Sequence, residues 1–318
     1  MNPGPVRAEV LVFGSLNMDL AVRVPRVPEA GETLQARSLL QTPGGKGANQ
    51  AVACARLGAK VAMVGRVGDD AFGLALKAAL KADGVDTGAV ATDAAPTGVA
   101  LIMVDDGAQN RIALVPGANA SVSVEDARQL RPLLEHANLV SLQLEVPMPA
   151  VCEAAAQARA SGCTVLLNPA PARPLPDALW KLVDILVLNE TEAALLGGLE
   201  VRDIAGAAQA AELLRRRGPA QVILTLGSEG AVVASAEGCR HFAALSVQAI
   251  DTTAAGDTFI GALCAALAQG AGLDVGISLG IQAAAVCVTR EGAQISMPHR
   301  DELAAMPSVG TPAVLTVP

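Results

Sequence analysis

The chain has 318 residues, of which 52% are hydrophobic and 17% charged, and carries a formal net charge of −8. That length suits one large α/β unit, the apolar fraction excludes a disordered chain, and negative charge with no Lys/Arg block that stands out argues against a nucleic-acid or anionic-membrane surface. Tyr is absent and only four Phe and one Trp occur, which excludes aromatic base-stacking platforms, leaves Ala, Val, Leu and Ile to fill the core, and favours a small-molecule partner.

In chain order, VLVFG (10–14) reads as a strand, and LAVRV (20–24) as an extended strand ending before Pro25. NQAVACARLGA (49–59) and GLALKAALKAD (73–83) have helical period, with the strand VAMVG (61–65) between them. TGVALIMV (97–104), a polar loop at 105–110 and RIALV (111–115) read as a β-hairpin. The strands LVSLQL (139–144), TVLLN (164–168), ILVLN (185–189) and QVILTLG (221–227) then alternate with the helical segments VCEAAAQARASG (151–162), DALWKLV (177–183) and AAQAAELLRRRG (207–218). This is the rhythm of βαβ units, so the predicted fold is α/β, a mostly parallel sheet with helices on both faces.

Strands without crossover helices do not belong inside such a sheet. The segments from about 18–43 and 97–119 are therefore expected to form a small accessory β-sheet beside the single α/β domain 1–318. It could serve as a lid over a site or as the contact of a homodimer. The tail at 303–318 has two internal prolines and no period, and is expected to be loosely held. Cys54, Cys152, Cys163, Cys239, Cys264 and Cys287 form no C-x-x-C pair and sit mostly among apolar or small residues, as reduced core thiols of a cytoplasmic protein do. No signal-peptide pattern and no run of roughly 18 apolar residues occurs, so no membrane contact is expected. Asn119 and Asn189 match the N-x-S/T acceptor pattern, which is idle without secretion.

The chemistry concentrates in a few segments. In DTTAAGDTFIGALCAAL (251–267), Ala254, Ala255 and Gly256 lead into Asp257, and a helix should begin at about Gly256. The first amides of a helix have no internal partners and carry the positive end of its dipole, so small side chains there leave them open to an anion. Asp257 alone could be a helix cap worth about 1 kcal/mol. A cap needs one carboxylate, however, and Asp251 supplies a second.

In TPGGKGANQAVACARLG (42–58), Gly44, Gly45, Lys46 and Gly47 precede a helix with Asn49 in its first turn. Gly47 after Lys46 breaks the nucleotide P-loop pattern, which requires Ser or Thr there. A glycine-lined surface with one cation and one amide suits a polyhydroxyl ligand, and a purely structural turn accounts for it equally well. Asn17 and Asp19 point the same way from an extended chain, and Glu145 ends an apolar strand, all where α/β sheets bind ligands. Each alone could be a loop residue or a cap. Asn189 and Glu192 could hold a hydrated Mg²⁺ or form an ordinary capping box. The turn with Gly227, Ser228 and Gly230 could carry a nucleotide or be a plain hairpin.

Taken together, GGKGANQA (44–51), NPAPAR (168–173), NETEA (189–193), TLGSEG (225–230), DTTAAGDTF (251–259) and TREGAQIS (289–296) resemble, over about 10–302, the carbohydrate kinase family that includes the ribokinases and the B-type phosphofructokinases. The resemblance implies a ribokinase-like fold and ATP-dependent phosphorylation of the 5-hydroxyl of D-ribose, or of another acceptor such as 2-deoxyribose, fructose or a nucleoside. It implies Asp257 as general base, with the amides of Ala254, Ala255, Gly256 and Asp257 as an anion hole. Sugar contacts would come from Asn17, Asp19, Gly45, Lys46, Asn49 and Glu145. ATP would meet Asn189, Thr225, Gly227, Ser228, Gly230 and Gly256, with Glu192 organising Mg²⁺ through water. A monovalent cation, K⁺, would lie among Asp251, Thr253, Cys287, Arg290, Gly292 and Ser296, several acting through backbone carbonyls. Ile260 and Ile281 stand where many members carry polar residues, which bears on nucleotide affinity rather than on the reaction. A non-catalytic sugar-binding regulator on the same fold would have no use for a carboxylate facing the phosphate.

Overall fold

The apolar runs of the sequence become the parallel strands of one sheet in the computed structural model, which describes residues 8–107 and 109–316. The strands are β1 (Val10–Phe13), β2 (Asn17–Arg23), β3 (Ser38–Gly44), β4 (Val61–Gly68), β5 (Asp86–Asp93), β6 (Gly98–Val104), β7 (Asn110–Val115), β8 (Leu139–Leu142), β9 (Thr164–Leu167), β10 (Ile185–Asn189), β11 (Gln221–Thr225), β12 (Ala231–Ser235), β13 (Gly238–Phe242) and β14 (Ala313–Leu315). The main sheet has the order β14-β13-β12-β11-β10-β9-β8-β1-β4-β5. From β11 to β5 all neighbours are parallel, and β12, β13 and β14 extend the edge in antiparallel fashion.

Both faces are covered, and the period-2 geometry of a strand shows how. Leu11 and Phe13 of β1 enter one core with the helices Met148–Ala160 and Ile204–Arg215. Val10 and Val12 enter the other with the helices Lys46–Arg56, Ala255–Ala268 and Leu273–Cys287.

The accessory sheet is separate, with the order β3-β2-β6-β7. Its first strand begins at Asn17, three residues before the apolar run suggested, because β3 pairs with it from Asn17–Gly44 to Arg23–Ser38. β3 contains Pro43, which is tolerated because β3 lies at the sheet edge. Its register sets Leu40, Ala21, Ile102 and Ile112 in one row across the four strands, and Leu40 and Ile112 are exposed. The tail departs from expectation. Arg300–Leu303 is helical, and β14 adds to the edge of β13. A three-residue strand held by backbone pairing leaves no periodic trace in sequence.

One close approach decides where the site residues lie. A Cβ built on Gly261 would stand 2.5 Å from Ala53 Cβ and 2.8 Å from both Cys54 N and Gln50 O. Glycine at 261 therefore lets the helix Ala255–Ala268 press against the backbone of the helix Lys46–Arg56. Gly261→Ala should cost about 1–3 kcal/mol by overpacking, measured as a lower urea midpoint at unchanged slope. Asn49, one of the candidate ligand-binding residues, is carried by the displaced helix and should shift with it.

Candidate active site

The polar residues singled out in the sequence gather at the carboxyl ends of the parallel strands, where β1, β8, β10 and β11 release the chain. A cavity of about 400 Å³ lies at the opposite end, lined by Asn138, Thr164, Asp184 and Gln221 among others. None of the site residues faces it.

Asn17 and Asp19 occupy alternate positions of β2, so both side chains leave the same face, and they are 2% and 8% exposed. The Asp19 carboxylate lies against Gly44, where a Cβ would come within 2.1 Å of Oδ2. Burial, followed by the charges of Glu145 and Asp257, pushes its pKa up to about 7. Glu145 Oε2 accepts from Ser15 Oγ at 2.5 Å, from the Lys46 amide at 3.1 Å and from Asn17 Nδ2 at 3.5 Å. Gly45, with φ of 90°, caps the helix that starts at Lys46. Burial pulls the Lys46 ammonium down, but the carboxylates of Asp257, Glu145 and Glu192 outweigh it and hold its pKa above the ordinary value.

Asp257 sits in the first turn of the helix Ala255–Ala268 and is buried. Its Oδ2 accepts from Asn49 Nδ2 at 3.0 Å and its Oδ1 from Gln50 Nε2 at 3.1 Å. The helix starts one residue earlier than predicted, at Ala255, because Ala254 takes a left-handed conformation with φ of 59°. Among the described residues Ala254 alone does so without being glycine, a conformation costing about 1–2 kcal/mol. The four-amide anion hole is narrower than the sequence suggests. The Ala255 amide donates to Thr252 O at 3.2 Å, closing a turn. The amides of Ala254, Gly256 and Asp257 have no acceptor among the described residues. A Cβ on Gly256 would meet no protein atom within 4 Å, so the space beside this residue is open.

The expected nucleotide residues adjoin one another. Asn189 and Thr225 are register partners at the ends of β10 and β11. Asn189 caps the helix Glu190–Gly197, and Glu192 closes the capping box: Asn189 Oδ1 accepts from the Glu192 amide at 2.9 Å, and Glu192 Oε2 from the Asn189 amide at 3.1 Å. The capping reading is thus correct, and it leaves Glu192 Oε1 without a protein donor among the described residues. Burial raises the Glu192 carboxyl above its usual value, against the pull of the Asn189 amide and Lys46. Gly227 and Ser228 lie in a 3-10 turn, Gly227–Glu229, and Gly230 ends it, so this segment is also the hairpin between β11 and β12. Ile260 and Ile281 are buried in the core.

The predicted cation residues form one knot. Asp251 accepts from the Thr253 amide at 2.8 Å and from the Gly292 amide at 2.9 Å. Burial pushes its carboxyl up, but hydrogen bonds from Thr253 and Gly292 outweigh it and hold the pKa below the usual value. The Cys287 thiol donates to Thr253 O at 3.7 Å and pairs with Ser296 Oγ at 3.1 Å, and burial raises its pKa. The Arg290 side chain is paired with Glu302, so only its backbone is available to this knot.

Sequence reasoning missed several buried polar residues. Asn119 exchanges hydrogen bonds with the backbone of Leu16 at 2.9 and 3.0 Å, and its amide donates to Asn17 Oδ1 at 2.8 Å. Gln294 donates to Asn49 Oδ1 at 3.2 Å. The available signal for Gln50 was a second amide beside Asn49, directly before the small and apolar stretch AVACA (51–55) of a buried helix.

The sequence profile of the pfkB family carbohydrate kinases matches residues 7–300. The chain belongs to the pfkB family of carbohydrate kinases. Within the family it is 43% identical over 298 residues to a ribokinase of Haemophilus influenzae, covering 93% of this chain and 97% of that one. It is 37% identical over 296 residues to a deoxyribokinase of Salmonella typhi, covering 92% and 97%. The structure of an Arabidopsis thaliana ribokinase complexed with ribose and ATP matches with a TM-score of 0.86 at 33% identity, over 93% of this chain and 97% of that one. The ribokinase-like architecture, a large sheet covered by helices and a separate small sheet, is the fold of this pfkB member.

Proposed function

We propose that this pfkB kinase is a ribokinase, transferring the terminal phosphoryl group of ATP to the 5-hydroxyl of D-ribose. The observation that carries this reading is the buried Asp257 carboxylate set between amide side chains and the free main-chain donors of a helix start.

In the reaction the sugar oxygen forms a bond to the γ-phosphorus while the bond from that phosphorus to the β–γ bridging oxygen breaks, and ADP leaves. Asp257 takes the hydroxyl proton. Charge spread over the equatorial phosphoryl oxygens meets the amides of Ala254, Gly256 and Asp257, whose positions are fixed before the substrates arrive. Asn17, Asp19, Glu145, Asn49, Gly45 and Lys46 hold the sugar so that its oxygen approaches in line, a contribution of alignment rather than of chemistry. Asn189, Thr225, Gly227, Ser228 and Gly230 receive the nucleotide, with Gly256 leaving room for its phosphate end.

The residues present fit both expected ions. Glu192 keeps one free carboxylate oxygen for a hydrated Mg²⁺, which when bound would neutralise charge between the β- and γ-phosphates. The oxygen-rich knot of Asp251, Thr253 and Ser296, with backbone carbonyls of Cys287, Arg290 and Gly292, offers the hard donors that K⁺ prefers. It lies directly before the helix start and would order it. The exposed row through Leu40 and Ile112 suits a homodimer through the lid, and six free cysteines suit a reducing cytoplasm.

The relative named a deoxyribokinase makes 2-deoxyribose the second acceptor to test. A coupled ADP-release assay over ribose, 2-deoxyribose, fructose and a nucleoside, in K⁺ and in Na⁺, decides among these. The expected result is fastest release with ribose and a loss of rate in Na⁺. Indifference to the ion removes the cation assignment, and calorimetric sugar binding without ADP release replaces the kinase with a binding regulator.

A further inference from the structure

The two amides that hold Asp257 are anchored differently. Asn49 lies on the sugar side. Gln50 is 1% exposed, and both the oxygen and the nitrogen of its amide are taken up by protein partners. Its Oε1 accepts from Ser141 Oγ at 2.8 Å and from Gln143 Nε2 at 2.6 Å, both on the segment that ends β8. With that oxygen fixed, Nε2 is turned toward Asp257 Oδ1, and Asn168 Oδ1 lies 3.4 Å away as a second acceptor. Five polar side chains, Gln50, Ser141, Gln143, Asn168 and Asp257, thus meet in the core where apolar packing would be cheaper; Gln143 Oε1 finds no partner among the described residues, whereas both ends of the Gln50 amide are bonded, which fixes its orientation.

We infer that Gln50 is the positioning residue of the base: it fixes the rotation of the Asp257 carboxylate against the acceptor hydroxyl without touching sugar or nucleotide. The inference rests on the reading of Asp257 as base. A neutral amide suits the task better than a guanidinium or ammonium, which would hold the carboxylate as firmly but weaken its affinity for the proton it must take. The connection also runs through rigid elements. Ser141 belongs to β8 and Gln50 to a helix, so the carboxylate is referenced to the sheet rather than to a loop.

The test is steady-state kinetics and pH profiles of the wild type, Gln50→Met, Asp257→Asn and the double variant, with ribose and ATP. Methionine keeps the length and removes all four hydrogen bonds of the amide. Gln50→Met should lower kcat about 10–100-fold, as expected of a misaligned reacting group, with both KM values within about twofold of wild type. The acid-side fall of kcat should move to higher pH, because a donor to the ionised carboxylate is lost. The other ionisable groups facing Asp257 are Asp19, Lys46, Glu192 and Cys287, and all stay in place. In the double variant Gln50→Met should add little to the loss from Asp257→Asn.

Wild-type kcat in folded Gln50→Met, a change confined to KM, or fully additive losses would overturn the inference. Turnover retained by Asp257→Asn would instead remove the base reading itself. If Gln50→Met does not fold, Gln50→Glu serves, since it keeps a polar group of the same length. Its second carboxylate should move the acid-side fall further upward, and a profile identical to wild type refutes the role.

Discussion

Asp257→Asn lowers kcat by about 10²–10⁴, or about 3–5 kcal/mol in the barrier, while the KM values for ribose and ATP stay within a few-fold. The replacement amide has nearly the same shape, so the sugar pocket and the free amides of the helix start persist. What is lost is the acceptor for the hydroxyl proton, which otherwise leaves only once the new bond is well advanced. There is also a structural consequence to separate from the chemical one. Both carboxylate oxygens accept from amide donors, Asn49 and Gln50, and an asparagine offers one acceptor oxygen where there were two. One donor is left facing an NH₂ group, at a cost of about 1–3 kcal/mol in stability. Urea unfolding beside the kinetics distinguishes the two effects: kcat should fall far more than the folded fraction does. Turnover within a few-fold of wild type removes Asp257 from the base role.

Asp19→Asn is expected to weaken sugar binding and, above neutral pH, to stabilise the unliganded protein. Burial with two neighbouring carboxylates holds the Asp19 pKa at about 7 in the folded state, against an ordinary carboxylate value when unfolded. A raised carboxyl pKa favours the folded state at low pH, where Asp19 is protonated, and that contribution is lost as pH rises through about 7. At pH 8.5 the folded protein therefore carries an ionised, confined carboxylate at a cost of up to about 4 kcal/mol. The neutral amide escapes that cost. Its advantage should be present in urea midpoints at pH 8.5 and nearly absent at pH 5.5. Equal gains at both pH values would show that ionisation is not the cause. The same substitution removes an acceptor for sugar hydroxyls, so calorimetric affinity for ribose should fall at pH 8.5, stability and binding moving in opposite directions as expected for a functional group held against its preference.

The features legible in the sequence were those encoded locally. A buried parallel strand is a short apolar run, and β1, β8, β9, β10 and β11 showed themselves as such. The small residues before Asp257 and the glycines around Lys46 were visible because a helix start open to an anion and a flat binding surface both require minimal side chains in a row. β3 and β5 were harder to see, since SLLQTPG and DTGAVATD combine polar and turn-forming residues with strand geometry imposed by pairing. β12, β13 and β14 form by hairpin and edge addition rather than through a crossover helix. The polar network was not legible at all. Gln50 and Asp257 are 207 positions apart, and Asn119 and Leu16 are 103 apart. Local periodicity cannot report a contact that only the assembled sheet creates. For the same reason the occupied Ala255 amide was counted among the free donors: its partner, Thr252 O, is set by the left-handed turn at Ala254.

Two of the residues proposed to hold the sugar and the carboxylate proposed to take its proton come from different parts of the fold. Asn17 and Asp19 ride on the small four-stranded sheet, whereas Asp257, Asn49 and Gln50 lie on two helices that pack against the large one. Acceptor preference is therefore open to change at these two lid positions, while Lys46, Asn49 and Glu145, the other proposed sugar contacts, stay with the transfer apparatus. Retargeting the protein to a different alcohol begins at the small sheet but also meets the frame that holds the reacting carboxylate.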